Sequence, residues 1–144
     1  VLHTEAFPIG KGNMHPIDYT PPAEQVDDEY PLYLTTGRVL YQYHTGTMTR
    51  KTEGLNERSP ESFVEITPAD AEKYGLSDGD KVRIASRRGE IFAKLSVSEK
   101  AVDGTIFIPF HYAEAAANRL TNAALDPVSK IPEYKVCAVQ LEKN

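Results

Sequence analysis

The stretch best equipped for chemistry is Thr35 to Lys51, TTGRVLYQYHTGTMTRK. Gln42, His44, Thr45, Thr47 and Thr49 crowd around Gly46, directly behind Thr35-Thr36-Gly37-Arg38. So many donors and acceptors cost desolvation free energy if they are buried unpaired. The loop is therefore either wet or wrapped on something polar. Gly37 and Gly46 would let backbone N–H groups approach a ligand closely. A solvated loop after a strand has the same composition, so both readings stand. Thr47 and Thr49 also suit the cap of a short helix starting near Met48, and Arg50 and Lys51 suit a solvated face.

Two smaller clusters follow. His111 lies in Phe110-His111-Tyr112, just after an apolar run, and Asn118 lies late in the alanine-rich AEAAANRL. Asn is a poor helix former, so it is either exposed there or present for its amide. No carboxylate or second His stands at metal-ligand spacing from His111. Tyr134 and Lys135 close the segment IPEYK, where a proline-bracketed loop turns into an apolar run. A Lys at the mouth of such a run suits an anionic or carbonyl-rich ligand, or covers apolar neighbours with its stem. No nucleophile motif accompanies the Ser and His residues. GxGxxG and GxxxxGK[ST] are both absent.

These residues need elements to hold them. Pro31-Leu32-Tyr33-Leu34 reads as a buried strand leading into the polar loop. Phe63 to Ile66 is a second short strand. Thr67 is an N-cap with Pro68 at the first helical position, for a helix over 68–74 that Gly75 ends. A turn over 76–80 precedes alternating strands over 80–86 and 90–98, joined by Arg87-Arg88-Gly89. Another strand spans 105–110, a short helix 113–120, and a closing strand 134–141. Half of the ten prolines fall by position 31, so residues 1–30 form an extended arm, with Phe7, Met14, Ile17 and Tyr19 able to pin it to a surface. Residues 31–144 make one domain, mainly β with short helices: a small barrel with helical crossovers.

Composition narrows the function classes. The chain has 144 residues, 40% hydrophobic and 26% charged, enough for one core. Its net charge of −5 gives no support for nucleic-acid binding. No apolar stretch approaches the roughly 20 residues of a membrane span. The start, VLHTEAFPIG, lacks the regions of a signal peptide, so a cytoplasmic location is expected. It also lacks an initiator Met, so a fragment of a longer chain is expected. The sole cysteine, Cys137, can form no internal disulfide and cannot alone hold an iron–sulfur cluster. Its apolar neighbours make it a buried strand thiol.

Three runs carry a family resemblance: TTGR with YHTGTMTR, FVEITPADAEKYGLSDGDKVRIASRRG, and GTIFIPFHYAEAAANRLTNAALDPVSKIPEYKVCAV. Together they resemble the C-terminal domain of the molybdopterin oxidoreductases, the DMSO reductase family, and within it the formate dehydrogenase alpha subunits. The ITPADA and GLSDGDKVRI segment recurs across the superfamily; YHTGTMTR combined with PFHYAEAAANRLT and IPEYK is the specific part. The resemblance implies a double-psi β-barrel that binds the bis-molybdopterin guanine dinucleotide cofactor carrying molybdenum or tungsten. It implies formate oxidation to CO2 by a larger enzyme. The catalytic cysteine or selenocysteine, its His partner and the iron–sulfur cysteines of that enzyme lie in earlier domains. The isolated domain is then expected to be inactive, with the remaining domains of the catalytic subunit and electron-transfer subunits as partners.

A pterin dinucleotide has many amide-like groups and a pyrophosphate, so it needs convergent polar groups and few charges. The candidates to supply them are Thr36, Gly37, Arg38, Gln42, His44, Thr45 and Thr47, with His111, Asn118, Tyr134 and Lys135, and the resemblance favours that role for Asn118 and Lys135. Arg38 would meet a phosphate or fix the loop. Two alternatives stay open: a stand-alone barrel subunit, as in formylmethanofuran dehydrogenases, and a non-catalytic interaction module, which would not need so polar a loop.

Overall fold

Alternating burial along short strands builds the molecule. In a computed structural model, which describes residues 3–144, six strands close into one barrel: β1 (Leu32–Gly37), β2 (Phe63–Ile66), β3 (Lys81–Ser86), β4 (Gly89–Val97), β5 (Thr105–Pro109) and β6 (Cys137–Lys143). The first two residues of the expected arm lie outside the described residues. Around the barrel the order is β1-β5-β2-β4-β3-β6. β1 runs parallel to β5 and β2 parallel to β4, while the other neighbours are antiparallel. This is the double-psi β-barrel that the resemblance implies. Every second residue points inward, so Leu32 and Leu34, Val64 and Ile66, Val82 and Ile84, Ile106 and Ile108 interlock in one core. β6, flanked by β1 and β3, is buried at Cys137, Ala138 and Val139 alike, as expected for a strand apolar on both faces.

Local chemistry sets the connections. Helix α2 (Pro68–Lys73), which follows the short helix α1 (Glu53–Arg58), starts where the Thr67 hydroxyl accepts the Asp70 N–H at 3.1 Å. It ends at Gly75, φ +65°, where the N–H groups of Gly75 and Leu76 donate to the carbonyls of Glu72 and Ala71. Asp80 accepts the Ser77 N–H at 2.9 Å and closes the turn at Gly79. Arg87 and Arg88 alone join β3 to β4.

Four expectations need correction. The helix over 113–120 does not form. Ala113–Ala115 and Ala117–Arg119 are separate 3₁₀ turns, broken at Ala116, whose ψ of 97° is extended. Ala115, Ala117 and Leu120 are all buried, and a continuous α-helix would point the first two about 200° apart. Core packing here overrides alanine's propensity. The last strand begins at Cys137 rather than Tyr134, because Tyr134 and Lys135 form a turn tied to β1. Neither Thr47 nor Thr49 caps a helix: the 3₁₀ turn Thr49–Lys51 and α1 (Glu53–Arg58) have no side-chain cap. Finally, Phe7, Met14, Ile17 and Tyr19 are exposed and do not pin the arm to the barrel. Polar contacts from Ala23, Glu24, Gln25 and Asp27 hold it instead.

Candidate functional site

The parallel strands β1 and β5 end side by side, with Gly37 opposite Pro109. Chains leaving the carboxyl ends of adjacent parallel strands must diverge, and a crevice opens between them. Here it is a cavity of about 830 Å³, and its lining comes from two connections, the one after β1 and the two ends of the long one from β5 to β6. Arg38, His44 and Thr45 follow β1; Phe110, Asn118, Thr121 and Asn122 follow β5; Pro132, Tyr134 and Lys135 precede β6.

Six sequence-proposed residues therefore meet at one place: Arg38, His44, Thr45, Asn118, Tyr134 and Lys135. His44 has a left-handed backbone, φ +50°, uncommon for a residue with a side chain. Its ring stands edge-on to Phe110, with centroids 5.6 Å apart. Thr45 shares a hydroxyl hydrogen bond of 2.9 Å with Thr47. The Arg38 guanidinium has no hydrogen bond or ion pair among the described residues. Lys135 spends one N–H on the Thr36 carbonyl at 2.8 Å, leaving two.

The other five are not in the cavity lining, and each has a structural duty or a different place. Thr36 is buried, and its hydroxyl donates to the Tyr134 carbonyl at 3.0 Å. Gly37 is needed because a Cβ there would stand 2.5 Å from the Phe107 ring. Gln42 is buried and braces the loop from within: its carbonyl accepts the Thr49 hydroxyl at 2.7 Å and its amide reaches the Ser59 carbonyl at 3.4 Å. Thr47 is exposed and touches the site only through Thr45. His111 is buried against Tyr112, its ring centroid 3.8 Å away, and its Nε2 has no partner among the described residues. Burial first, and the nearby Arg50 cation second, push its pKa down, which favours the neutral ring.

Arg50 is not a solvated cation. It pairs with both carboxylate oxygens of Glu114 at 2.7 and 2.8 Å and lies 5.0 Å over the Tyr112 ring. This fastens the loop after β1 to the turn after β5. Gly46, φ +71°, allows that approach, because a Cβ would press on Arg50 and His111. Lys51 is exposed.

Sequence reasoning missed Phe110, Thr121, Asn122 and Pro132. A signal existed for Thr121 and Asn122, two polar residues directly behind the buried Leu120. Asn122 is itself held in place: its amide donates to the Val136 carbonyl at 2.8 Å and its oxygen accepts the Ala124 N–H at 2.9 Å.

The cavity's charge is one-sided. Arg38 and Lys135 are its charged lining residues, and no carboxylate joins them, in a chain of net charge −5. Among the described residues no group of three or more His, Cys, Asp and Glu is placed to hold a metal ion. What the cavity offers is positive charge, aromatic faces, hydroxyls and an amide.

Comparison with known proteins agrees with this chemistry. The profile of a family described as Molydopterin dinucleotide binding domain matches residues 32–138. The chain is 50% identical over 145 residues to the F420-dependent formate dehydrogenase 1 subunit alpha of Methanococcus maripaludis, covering 99% of this chain and 22% of that protein. It is 48% identical over 145 residues to the F420-dependent formate dehydrogenase subunit alpha of Methanocaldococcus jannaschii, with the same two shares, 99% and 22%. It thus spans about a fifth of the length of these relatives. Among solved structures, acetylene hydratase from Pelobacter acetylenicus superposes with a TM-score of 0.71 at 18% identity, covering 80% of this chain and 18% of that one. That likeness speaks to the fold alone. With the profile running from β1 into β6 across both of the cavity's connections, the chain belongs to the molydopterin dinucleotide binding domain family.

Proposed function

We propose that this chain is the cofactor-binding domain of a formate dehydrogenase-like oxidoreductase and that its cleft holds part of the bis-molybdopterin guanine dinucleotide. The observation that carries this is the one-sided cleft at the ends of β1 and β5, with two cations, no carboxylate, and neutral polar and aromatic groups around them. The donor set fits the ligand. Arg38 offers a planar fork to a pyrophosphate oxygen. The Asn118 amide, the Thr45 hydroxyl and the Tyr134 hydroxyl match the alternating donors and acceptors of a pterin or guanine edge. Phe110 and His44 give ring faces beside them.

When bound, the cofactor supplies a molybdenum or tungsten centre that takes up the two electrons of formate oxidation to CO2. This domain's residues bind, orient and exclude water; the catalytic cysteine or selenocysteine and an iron–sulfur cluster belong to the rest of the subunit in this reading. Its partners are those remaining domains and electron-transfer subunits, with coenzyme F420 as the electron partner that the relatives' names suggest. A cytoplasmic location completes the proposal. No helix among the described residues is long and apolar enough to cross a membrane.

The test is the metal and guanine nucleotide content of the full-length subunit, purified intact and as Arg38→Ala and Asn118→Ala. A charge-assisted hydrogen bond is worth about 1.5–3 kcal/mol, so Arg38→Ala should lower retention by roughly tenfold or more. Full retention in both variants would contradict the proposal.

A further inference from the structure

An ion-pair cluster joins the arm to the barrel outside the cleft. Glu24 Oε1 accepts from Nη1 of both Arg87 and Arg88 at 2.8 Å. Its Oε2 accepts from Arg88 Nη2 at 2.8 Å and from the Ala138 N–H at 2.9 Å. The β3–β6 ladder ends at the pair Ala85 and Gln140, so the carboxylate takes over an N–H that β3 no longer reaches. Arg87 also pairs with Asp27 and lies 4.5 Å over the Tyr30 ring. These contacts alone describe a clamp on the arm.

Arg88 does more than clamp. Its Nε–H donates to the Leu120 carbonyl at 2.9 Å. The next residue, Gly89, sits so near that a Cβ would stand 3.2 Å from the Arg119 carbonyl. Leu120 closes the 3₁₀ turn that carries Asn118, and Thr121 and Asn122 follow, so these residues form one wall of the cleft. That wall has little regular structure of its own: the N–H groups of Arg119 and Leu120 reach back only to Ala116 and Ala117. The neighbour of Glu24 supports the wall's far end. The Ala23 N–H donates to the Glu133 carboxylate at 3.1 Å, which in turn accepts from the Asn122 amide at 3.4 Å.

We propose that Glu24 and Arg88 are positioning residues of the cleft: the arm's carboxylate fixes Arg88, and Arg88 fixes the Leu120 carbonyl and with it the wall over 118–122. Neither residue lines the cavity. The inference rests on the cofactor-binding reading for its ligand. A wall already held in place loses less freedom when a ligand binds, and that is how support from outside a site becomes affinity. Arg is required at 88, because one planar guanidinium serves the Glu24 carboxylate with two nitrogens and the Leu120 carbonyl with the third. A lysine ammonium cannot span both.

The test uses the full-length subunit with its cofactor, intact and as Arg88→Lys, Glu24→Gln and Arg87→Ala. Arg87→Ala is the control, since Arg87 holds the arm without touching the wall. Two quantities are read: hydrogen exchange peptide by peptide, and guanine nucleotide retained after prolonged dialysis. Arg88→Lys and Glu24→Gln should speed exchange over 117–124 and lower retained nucleotide by about tenfold, the loss of one charge-assisted contact. The strand peptides should keep their protection. Arg87→Ala should speed exchange over 27–30 only, where Arg87 meets Asp27 and Tyr30. Wild-type exchange over 117–124 with undiminished nucleotide in Arg88→Lys would overturn the proposal. So would a loosening of all strands together, because that is loss of stability and not of position. Wild-type subunit without guanine nucleotide would instead defeat the cofactor reading, while exchange over 117–124 would still decide whether Arg88 holds the wall.

Discussion

Lys135 donates its ammonium to the Thr36 carbonyl at 2.8 Å, and the Thr36 hydroxyl donates to the Tyr134 carbonyl at 3.0 Å. This reciprocal tie locks the end of β1 to the turn before β6 and sets a cation beside the cleft. Lys135→Ala removes both a brace and a charge. In the full-length enzyme it should leave the barrel folded and reduce cofactor retention by roughly tenfold, for a loss of about 1.5–3 kcal/mol. Metal and nucleotide analysis of the purified variant checks this, and unchanged content would rule the role out.

Glu24 predicts how stability responds to acid. Burial acts to raise its pKa, but hydrogen bonds from Arg88, the Ala138 N–H and Arg87 outweigh it and hold the carboxyl at about 2, against an ordinary 4.5. A depressed pKa stabilises the fold fully above the unfolded value, and the benefit disappears as pH falls through the folded one. Because solvent screens the part-exposed arginines, the stabilisation should be at most about 3 kcal/mol at neutral pH, begin to fade below about 4.5 and be nearly gone near 2. Urea midpoints of the wild type and Glu24→Gln, followed from neutral pH downwards, should converge over that window. A gap independent of pH would contradict the prediction.

Much of the fold was legible because turns and strands are written locally. Thr67 with Pro68, Gly75 at the helix end and the alternation through Val82 and Ile84 depend on neighbours in sequence. The cleft was only half legible because its parts come from two connections far apart in sequence, one of them long enough to contribute at both ends. Thr36 and Gln42 look like ligand groups, yet pack as internal braces, since nothing local tells a buried hydrogen-bonded amide from one facing a cavity. The alanine run misled for a related reason: which of its residues meet the core is decided by β4, which packs against both turns and brings Gly89 up to Arg119. The pairing of Arg50 with Glu114 is likewise long-range, and no local pattern announces it.

That pairing yields a prediction for the loop. Arg50 and Glu114 are partly exposed, with side-chain accessibilities of 27% and 49%, so solvent screens them. Glu114→Gln should cost no more than about 1 kcal/mol of global stability. Its main effect should be local, with faster exchange over 41–51 and unchanged strands. The Arg50 hydrogen bonds hold the Glu114 pKa down, so the tie is fully present above the ordinary carboxylate pKa and weakens as pH falls through its depressed value. Equal protection of the loop in wild type and Glu114→Gln would show that the pair does not anchor it.

Cys137 is buried in β6, and burial pushes its thiol up to about 11. The thiolate is the nucleophile, so native protein should resist iodoacetamide at about pH 8 and become alkylated only on unfolding. Rapid labelling of the folded chain would contradict the burial of β6.

The most direct measurement is an experimental structure of the full-length subunit with its cofactor bound. The dinucleotide should lie in the cleft at the ends of β1 and β5, with Arg38 and Asn118 within hydrogen-bond distance of it and Phe110 beside it. A dinucleotide seated elsewhere, with Arg38 and Asn118 facing solvent, would contradict the proposed role of this domain.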